Sequence, residues 1–136
     1  MRILGVDYGD ARTGLAVSDP TGLLASAVET VTAYTPEKAA AGVAAVAERL
    51  KAERIVLGLP RNMDGSEGFR AEKTRAFGAL LSDLTGLPLE YEDERQTTNA
   101  AHRVLAENGR SGKKRKDVVD QVAAVLILQS WLDAHR

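Results

Sequence analysis

The chain contains no cysteine. Disulfides, thiolate nucleophiles and zinc–thiolate sites are therefore excluded together, and the composition fits a reducing cytoplasm. Histidine is scarce, with only His102 and His135, and there is no nucleophile-elbow motif. Nothing favours a hydrolase built on a serine–histidine pair. Long hydrophobic runs are missing as well. The most apolar helical stretch, Ala39 to Ala47, has about half of the ~20 residues needed to cross a bilayer. Asp7 interrupts the first apolar segment too early for a secretory signal, so a soluble cytoplasmic protein without a membrane partner is expected. A large net charge is also lacking: 18 basic against 19 acidic residues leave −1, which does not by itself announce a nucleic-acid binder.

What is present is an ordinary globular composition, 44% hydrophobic and 27% charged over 136 residues, with no internal repeat or low-complexity linker. One domain spanning 1–136 is expected. Arg2 to Tyr8 reads as a buried strand, and the Tyr8–Ala11 turn leads into a second strand, Thr13 to Ser18, closing a hairpin. Ala27 to Ala33 alternates with period two, as a third strand should. Thr35 followed by Pro36 predicts a helix start, and that helix runs to about Lys51 with Val43, Val46 and Leu50 on its core stripe. Ile55 to Leu59 is a continuous apolar strand of the kind found inside parallel sheets. A polar loop, Pro60 to Ser66, follows. Phe69, Lys73, Phe77, Leu80, Leu81 and Leu84 recur at helical spacing before Gly86, and Leu87 to Tyr91 is the fifth strand. Thr97 or Thr98 caps a short helix ending at Asn108-Gly109, and Lys116 to Ala134 forms the last helix, apolar on most sides through its middle. The order predicts an α/β architecture. Three antiparallel strands are followed by two parallel ones in a mixed five-stranded sheet, with helices on both faces.

Charge is patterned more tellingly than its sum. A carboxylate within an apolar strand is costly unless hydrogen-bonded, paired or bound to a metal, and Asp7 is such a carboxylate. Asp93 and Glu94 close the fifth strand, and Asp117 and Asp120 lie three apart on neighbouring positions of the last helix. Ala124, one turn beyond Asp120, is small enough to let that helix approach the sheet. Ligands in such sheets bind outside the carboxyl ends of parallel strands, where these acids would meet if the first and fifth strands lie near one another. Several carboxylates in one cleft raise one another's pKa, and a divalent cation relieves the repulsion. Mg²⁺ takes one or two protein carboxylates and leaves room for waters and phosphate oxygens, and two ions about 4 Å apart serve phosphodiester hydrolysis. Each acid also has a plainer role: Asp7 as a turn residue bonding the Gly9 amide, Asp93 and Glu94 paired with Arg95, Asp117 or Asp120 in the first turn of a helix. Five of the seven residues from Arg110 to Lys116 are basic, either a solvated loop or a phosphate-contacting one.

Four blocks, DYGDARTGLAVSD at Asp7–Asp19, VLGLPRNMDGSEG at Val56–Gly68, DERQTTNAA at Asp93–Ala101 and DQVAAVLILQSWLD at Asp120–Asp133, resemble the signature blocks of the YqgF/RuvX family. The resemblance covers essentially the whole chain. It implies an RNase H-like fold related to the RuvC resolvases, and a nuclease using Mg²⁺ or Mn²⁺, with two ions expected. The substrate it implies is the 5′ end of pre-16S ribosomal RNA or, in the older proposal, a DNA Holliday junction. By the same resemblance Asp7, Glu94 and Asp120 are the catalytic metal ligands, and Asp117 adds a fourth in a resolvase-like D-x-x-D arrangement. Arg12 and Arg95 are placed to contact phosphate, to orient an acid or to form a salt bridge. Asn62 sits in a turn that either offers polar groups to substrate or, through Ser66, caps the next helix. Lys113, Lys114, Arg115 and Lys116 are the candidate nucleic-acid contacts, while His102, Met63 and Trp131 are expected to pack.

Three other functions remain beside the leading one. A junction resolvase needs two active sites and so a homodimer, whereas the RNA enzyme could act as monomer or homodimer. A non-catalytic RNA-binding assembly factor would carry the same fold. The hairpin DYGDARTG also resembles the phosphate-binding turn of actin-like kinases, but those need two lobes, and 136 residues leave room for one.

Overall fold

The computed structural model describes residues 1–94 and 112–135, and for 112–119 it describes the backbone alone. The expected cap and helix from Thr97 to Gly109, with His102, and also Arg95, lie outside the described residues.

Five strands form one sheet: β1 (Ile3–Asp7), β2 (Arg12–Ser18), β3 (Ala25–Thr32), β4 (Arg54–Leu59) and β5 (Leu89–Asp93). Their order is β3-β2-β1-β4-β5, with β1–β2 and β2–β3 antiparallel and β1–β4 and β4–β5 parallel. This is the mixed α/β sheet the sequence predicts. β1 and β4 are central, which explains why both are apolar on successive residues rather than alternating.

Three helices are described: α1 (Pro36–Arg49), α2 (Phe69–Thr85) and α3 (Gly112–Ala134). Thr35 caps α1 by accepting from the Lys38 amide at 3.2 Å, with Pro36 in the first turn. Gly86 ends α2 in the left-handed conformation, φ +68°. α1 and α2 cover one face of the sheet, where Leu4, Val6, Leu15, Ile55 and Leu57 pack with Val43, Val46, Phe77 and Leu81. α3 covers the other face, packing Ala124, Ile127, Leu128, Trp131 and Leu132 on Ile3, Ala16 and Val56. Two side chains lock α3 to β3: Gln129 Oε1 accepts from the Ala25 amide at 2.9 Å, and Gln121 donates to Thr30 at 3.1 Å.

Several boundaries differ from the sequence reading. β3 begins at Ala25, two residues early. β5 begins at Leu89 and runs to Asp93, because Pro88 has no amide hydrogen and uses its carbonyl to accept from Ile55 at 2.9 Å. α3 begins at Gly112, so Lys113 to Lys116 belong to its first turns and not to a loop; Lys and Arg are good helix formers. Ser66 does not cap α2. Gly68 holds that position without a side-chain bond, while Ser66 is engaged with Asp64 and Asn62. Phe69 and Leu84, at the ends of the helical stripe, are exposed. Trp131 packs as expected and stacks on His135 with ring centroids 4.0 Å apart.

Candidate active site

The site is set by glycines where larger residues would be expected in buried strands. Asp7 is the last residue of β1 and lies opposite Gly14 of β2, so both face α3. A Cβ on Gly14 would fall 2.0 Å from the Asp120 carbonyl oxygen and 2.9 Å from Asp120 Cβ. Only glycine lets α3 lie against β2 here, and that contact delivers Asp120 to the end of the sheet. Ala124 does the same one turn later, its carbonyl oxygen 3.1 Å from where a Cβ on Gly5 would be.

Glu94 follows β5 directly, its amide donating to the Leu59 carbonyl at 3.2 Å. Strand β4 stands between it and Asp7, so their backbones are separated by two strand spacings, about 10 Å. Gly58 makes the crossing possible: a Cβ there would meet Glu94 Oε2 at 2.5 Å and Ile127 Cδ1 at 2.4 Å. The Glu94 side chain passes over this gap and hydrogen-bonds the Asp7 carboxyl.

The electrostatics follow from that contact. Burial raises the Asp7 pKa well above the carboxylate range, and the Glu94 charge, its hydrogen bond and the Asp120 charge push in the same direction, with Arg70 opposing. Burial also raises Glu94, moderated by the Asp7 hydrogen bond and by Arg70, while Asp93 adds to the rise. Their mutual hydrogen bond raises Asp7 and lowers Glu94, so of the two carboxyls Asp7 is the one that favours its proton. Asp120 is turned toward Arg12, whose Nε donates to Oδ2 at 3.0 Å.

The sequence candidates therefore divide. Asp7 and Glu94 touch, and Asp120 is within electrostatic reach of Asp7 and held by Arg12. Asp117 lies one helical turn before Asp120, and Lys113, Lys114, Arg115 and Lys116 precede it on α3; their side chains are outside the described residues, as is all of Arg95. Asn62 is occupied by its own turn, its amide group donating to Ser66 Oγ at 3.0 Å and its backbone bonded to Gly65 and Ser66. The Asx-turn role expected as the plain reading of Asp7 is not what its carboxyl does. Among the described residues no three His, Cys, Asp or Glu side chains form a self-contained ion cage. Two residues were missed. Gly58 carried a signal, a glycine inside a buried strand, which marks close approach by another group. Arg70 carried none, since an arginine on an amphipathic helix looks like any solvated one.

The RuvX family model, described as Holliday junction resolvase, matches residues 1–134. The chain belongs to the RuvX family. Among its relatives, a protein of Limosilactobacillus fermentum is 47% identical over 99% of this chain and 95% of its own, and one of Myxococcus xanthus is 48% identical over 100% and 90%. Both are named "Putative pre-16S rRNA nuclease". Of solved structures, Thermus thermophilus RuvC in complex with a Holliday junction superposes with a TM-score of 0.63 at 16% identity, covering 99% of this chain and 95% of that one. The fowlpox virus Holliday junction resolvase gives 0.60 at 13% identity over the full length of both. At these identities the superpositions show the fold, which is the RNase H-like fold of the RuvC resolvases.

Proposed function

We propose that this RuvX chain is a divalent-metal-dependent nuclease of the cytoplasm, acting as a single domain on the 5′ end of pre-16S ribosomal RNA. One observation carries the reading: two carboxyls, one ending β1 and one just past β5, are brought into contact at the sheet's carboxyl end, and burial raises the pKa of both. Once deprotonated, such a pair costs the fold stability unless a cation offsets its charge. The donor set is all oxygen, which suits Mg²⁺ or Mn²⁺, and so does the lack of a closed cage, because these ions keep positions for water and phosphate oxygens.

Asp7 and Glu94 would hold the ions, with Asp120 and, one turn earlier, Asp117 completing the set. A bound pair of such ions would supply an activated water and charge neutralisation at the scissile phosphate. The protein's own part is to surrender the Asp7 proton on loading, to hold Asp120 in place through Arg12, and to orient the strand through cations near the site. Lys113 to Lys116, at the start of α3, suit that last task and Arg95 is a further candidate; Asn62, closed on its own turn, is a weaker one. The names of the relatives support ribosomal RNA as substrate.

The family description favours a second reading, resolution of DNA four-way junctions. Incubating a labelled pre-16S precursor and a labelled four-way junction in parallel, with Mg²⁺, Mn²⁺ or chelator, separates the two. Cleavage at the precursor's 5′ side that chelator and Asp7→Asn both abolish supports the proposal. Symmetric cutting of the junction alone, by a dimer seen in native mass measurement, supports the second reading. RNA fragments that persist undiminished with Asp7→Asn would mark a contaminant and leave a binding factor.

A further inference from the structure

Beside the carboxyl pair, between the β1–β2 turn and the start of α2, lies a cleft of about 220 Å³. Asp10 and Tyr8 enter it from the turn that follows Asp7, and Phe69, Arg70 and Lys73 enter it from α2. Tyr8 forms a fixed wall, stacked on buried Phe77 at 4.1 Å between ring centroids. Lys73 is held over the opening, its Nζ donating to Asp10 Oδ1 at 2.6 Å and lying 5.5 Å from the centre of the Phe69 ring.

Arg70 is different. It is exposed, and among the described residues its guanidinium makes no hydrogen bond and no ion pair within 4 Å. Yet its charge acts on Asp7, Glu94 and Asp10, which puts it on the open side of the carboxyl pair. Arg12 is already bonded to Asp120, so among the described residues Arg70 is the arginine of this cleft with its donors open to solvent. An acidic centre repels the strand it must cut, and phosphates follow one another about every 3.4 Å of helix axis along a strand. A forked cation next to the carboxylates meets the phosphate adjoining the scissile one.

We propose that this cleft is a phosphate subsite for the strand under attack, with Arg70 and Lys73 as its cations and Asp10 occupying Lys73 until a phosphate displaces it. The inference rests on the nuclease reading, because its ligand is the strand being cleaved. Asp10 is an internal stand-in for phosphate, so its removal strengthens binding, and the gain depends on Lys73 being present.

The test is anisotropy of a labelled RNA hairpin with a single-stranded 5′ extension, and of a four-way DNA junction, titrated with metal-free protein at several salt concentrations. Arg70→Gln should weaken binding about tenfold and reduce the salt slope by about one, with Arg70→Lys intermediate. Asp10→Asn should tighten binding about three- to tenfold, and Lys73→Gln in the same chain should cancel that gain. Melting curves establish that each variant is folded. Wild-type affinity and slope in Arg70→Gln, or weaker binding by Asp10→Asn, would overturn the subsite. If the wild type cuts normally in that case, the nuclease reading stands and only the subsite falls. A wild type that binds neither probe overturns the subsite, and one that also cuts neither with Mg²⁺ or Mn²⁺ removes the nuclease reading as well.

Discussion

The two faces of the sheet are built on opposite principles. Toward α1 and α2 the strands present Leu4, Val6, Leu15, Ile55 and Leu57, all fully buried and capped by Phe77 and Leu81. Toward α3 they present Gly5, Gly14, Ala16 and Gly58, with Ile3 and Val56 as the large apolar residues. Bulk on the first face removes water and supplies most of the hydrophobic stabilisation. Small residues on the second let backbone approach backbone, which brings acids from three distant elements to one corner. The difference teaches that chemistry is confined to the close-approach side of the same five strands while the α1–α2 side serves stability alone, so substitutions at the acids and on the α1–α2 side should separate the two.

The largest separation is expected from the carboxyl pair. Asp7→Asn should lower Mg²⁺-dependent cleavage by at least about 10³-fold, the scale seen when one member of a catalytic unit is removed, while circular dichroism stays native. Leu57→Ala on the opposite face should do the reverse. It should cost about 2–5 kcal/mol in denaturant unfolding, with activity per folded molecule unchanged. Activity surviving in the first, or lost from folded protein in the second, would break the comparison.

Gly58→Ala tests the contact between the two regions. The new methyl group would meet Glu94 Oε2 and Ile127, so overpacking of about 1–3 kcal/mol should accompany a loss of about a hundredfold in cleavage. A stability loss without an activity loss would mean that Glu94 need not cross at Gly58.

The pH dependence of the metal-free protein gives a smaller effect with a definite sign. The folded Asp7 pKa is raised by burial and by Glu94, so folding favours the protonated form. The stability this contributes is fully present below the unfolded carboxylate value, about 4, and is lost as pH rises through the raised folded value. With chelator present, melting temperature should fall with rising pH on account of this pair. Asp7→Asn should flatten that fall, and adding Mn²⁺ to the wild type should reverse it. Equal pH slopes in wild type and Asp7→Asn would contradict a raised Asp7 pKa.

The smallest change is expected from Arg12→Gln. It should leave melting nearly unmoved, as partly exposed ion pairs contribute little. Cleavage should fall about tenfold through misplacement of Asp120, and the metal concentration for half activity should rise.

Much of this architecture was legible beforehand. Asp7 stood out because a charge in an apolar strand demands an explanation, and the apolar middle of α3 announced a helix lying on the sheet. Thr35-Pro36 and Gly86 marked helix ends through local backbone chemistry, and local chemistry is what short sequence patterns encode. Less legible were features decided by register between remote segments. Whether Asp93 or Glu94 reaches Asp7 depends on the register of β5 against β4, in which Asp93 pairs with Leu59 and the Glu94 amide donates to the Leu59 carbonyl. Only the family resemblance favoured Glu94. Ser66 looked like a cap, but the Asp64-Gly65 turn claimed its hydroxyl first, Ser66 Oγ donating to Asp64 at 2.6 Å.

The Gln129 bond to the first amide of β3 has a consequence for the opposite end of its helix. An α-helix advances about 1.5 Å per residue and slides as a rod, so any axial slip at Gln129 carries Asp120, nine residues away, by the same distance. The glutamine is thus a detent on a lever: an uncharged side chain far from the acids sets how deeply one of them reaches into the corner, and a change there would retune the centre without touching it.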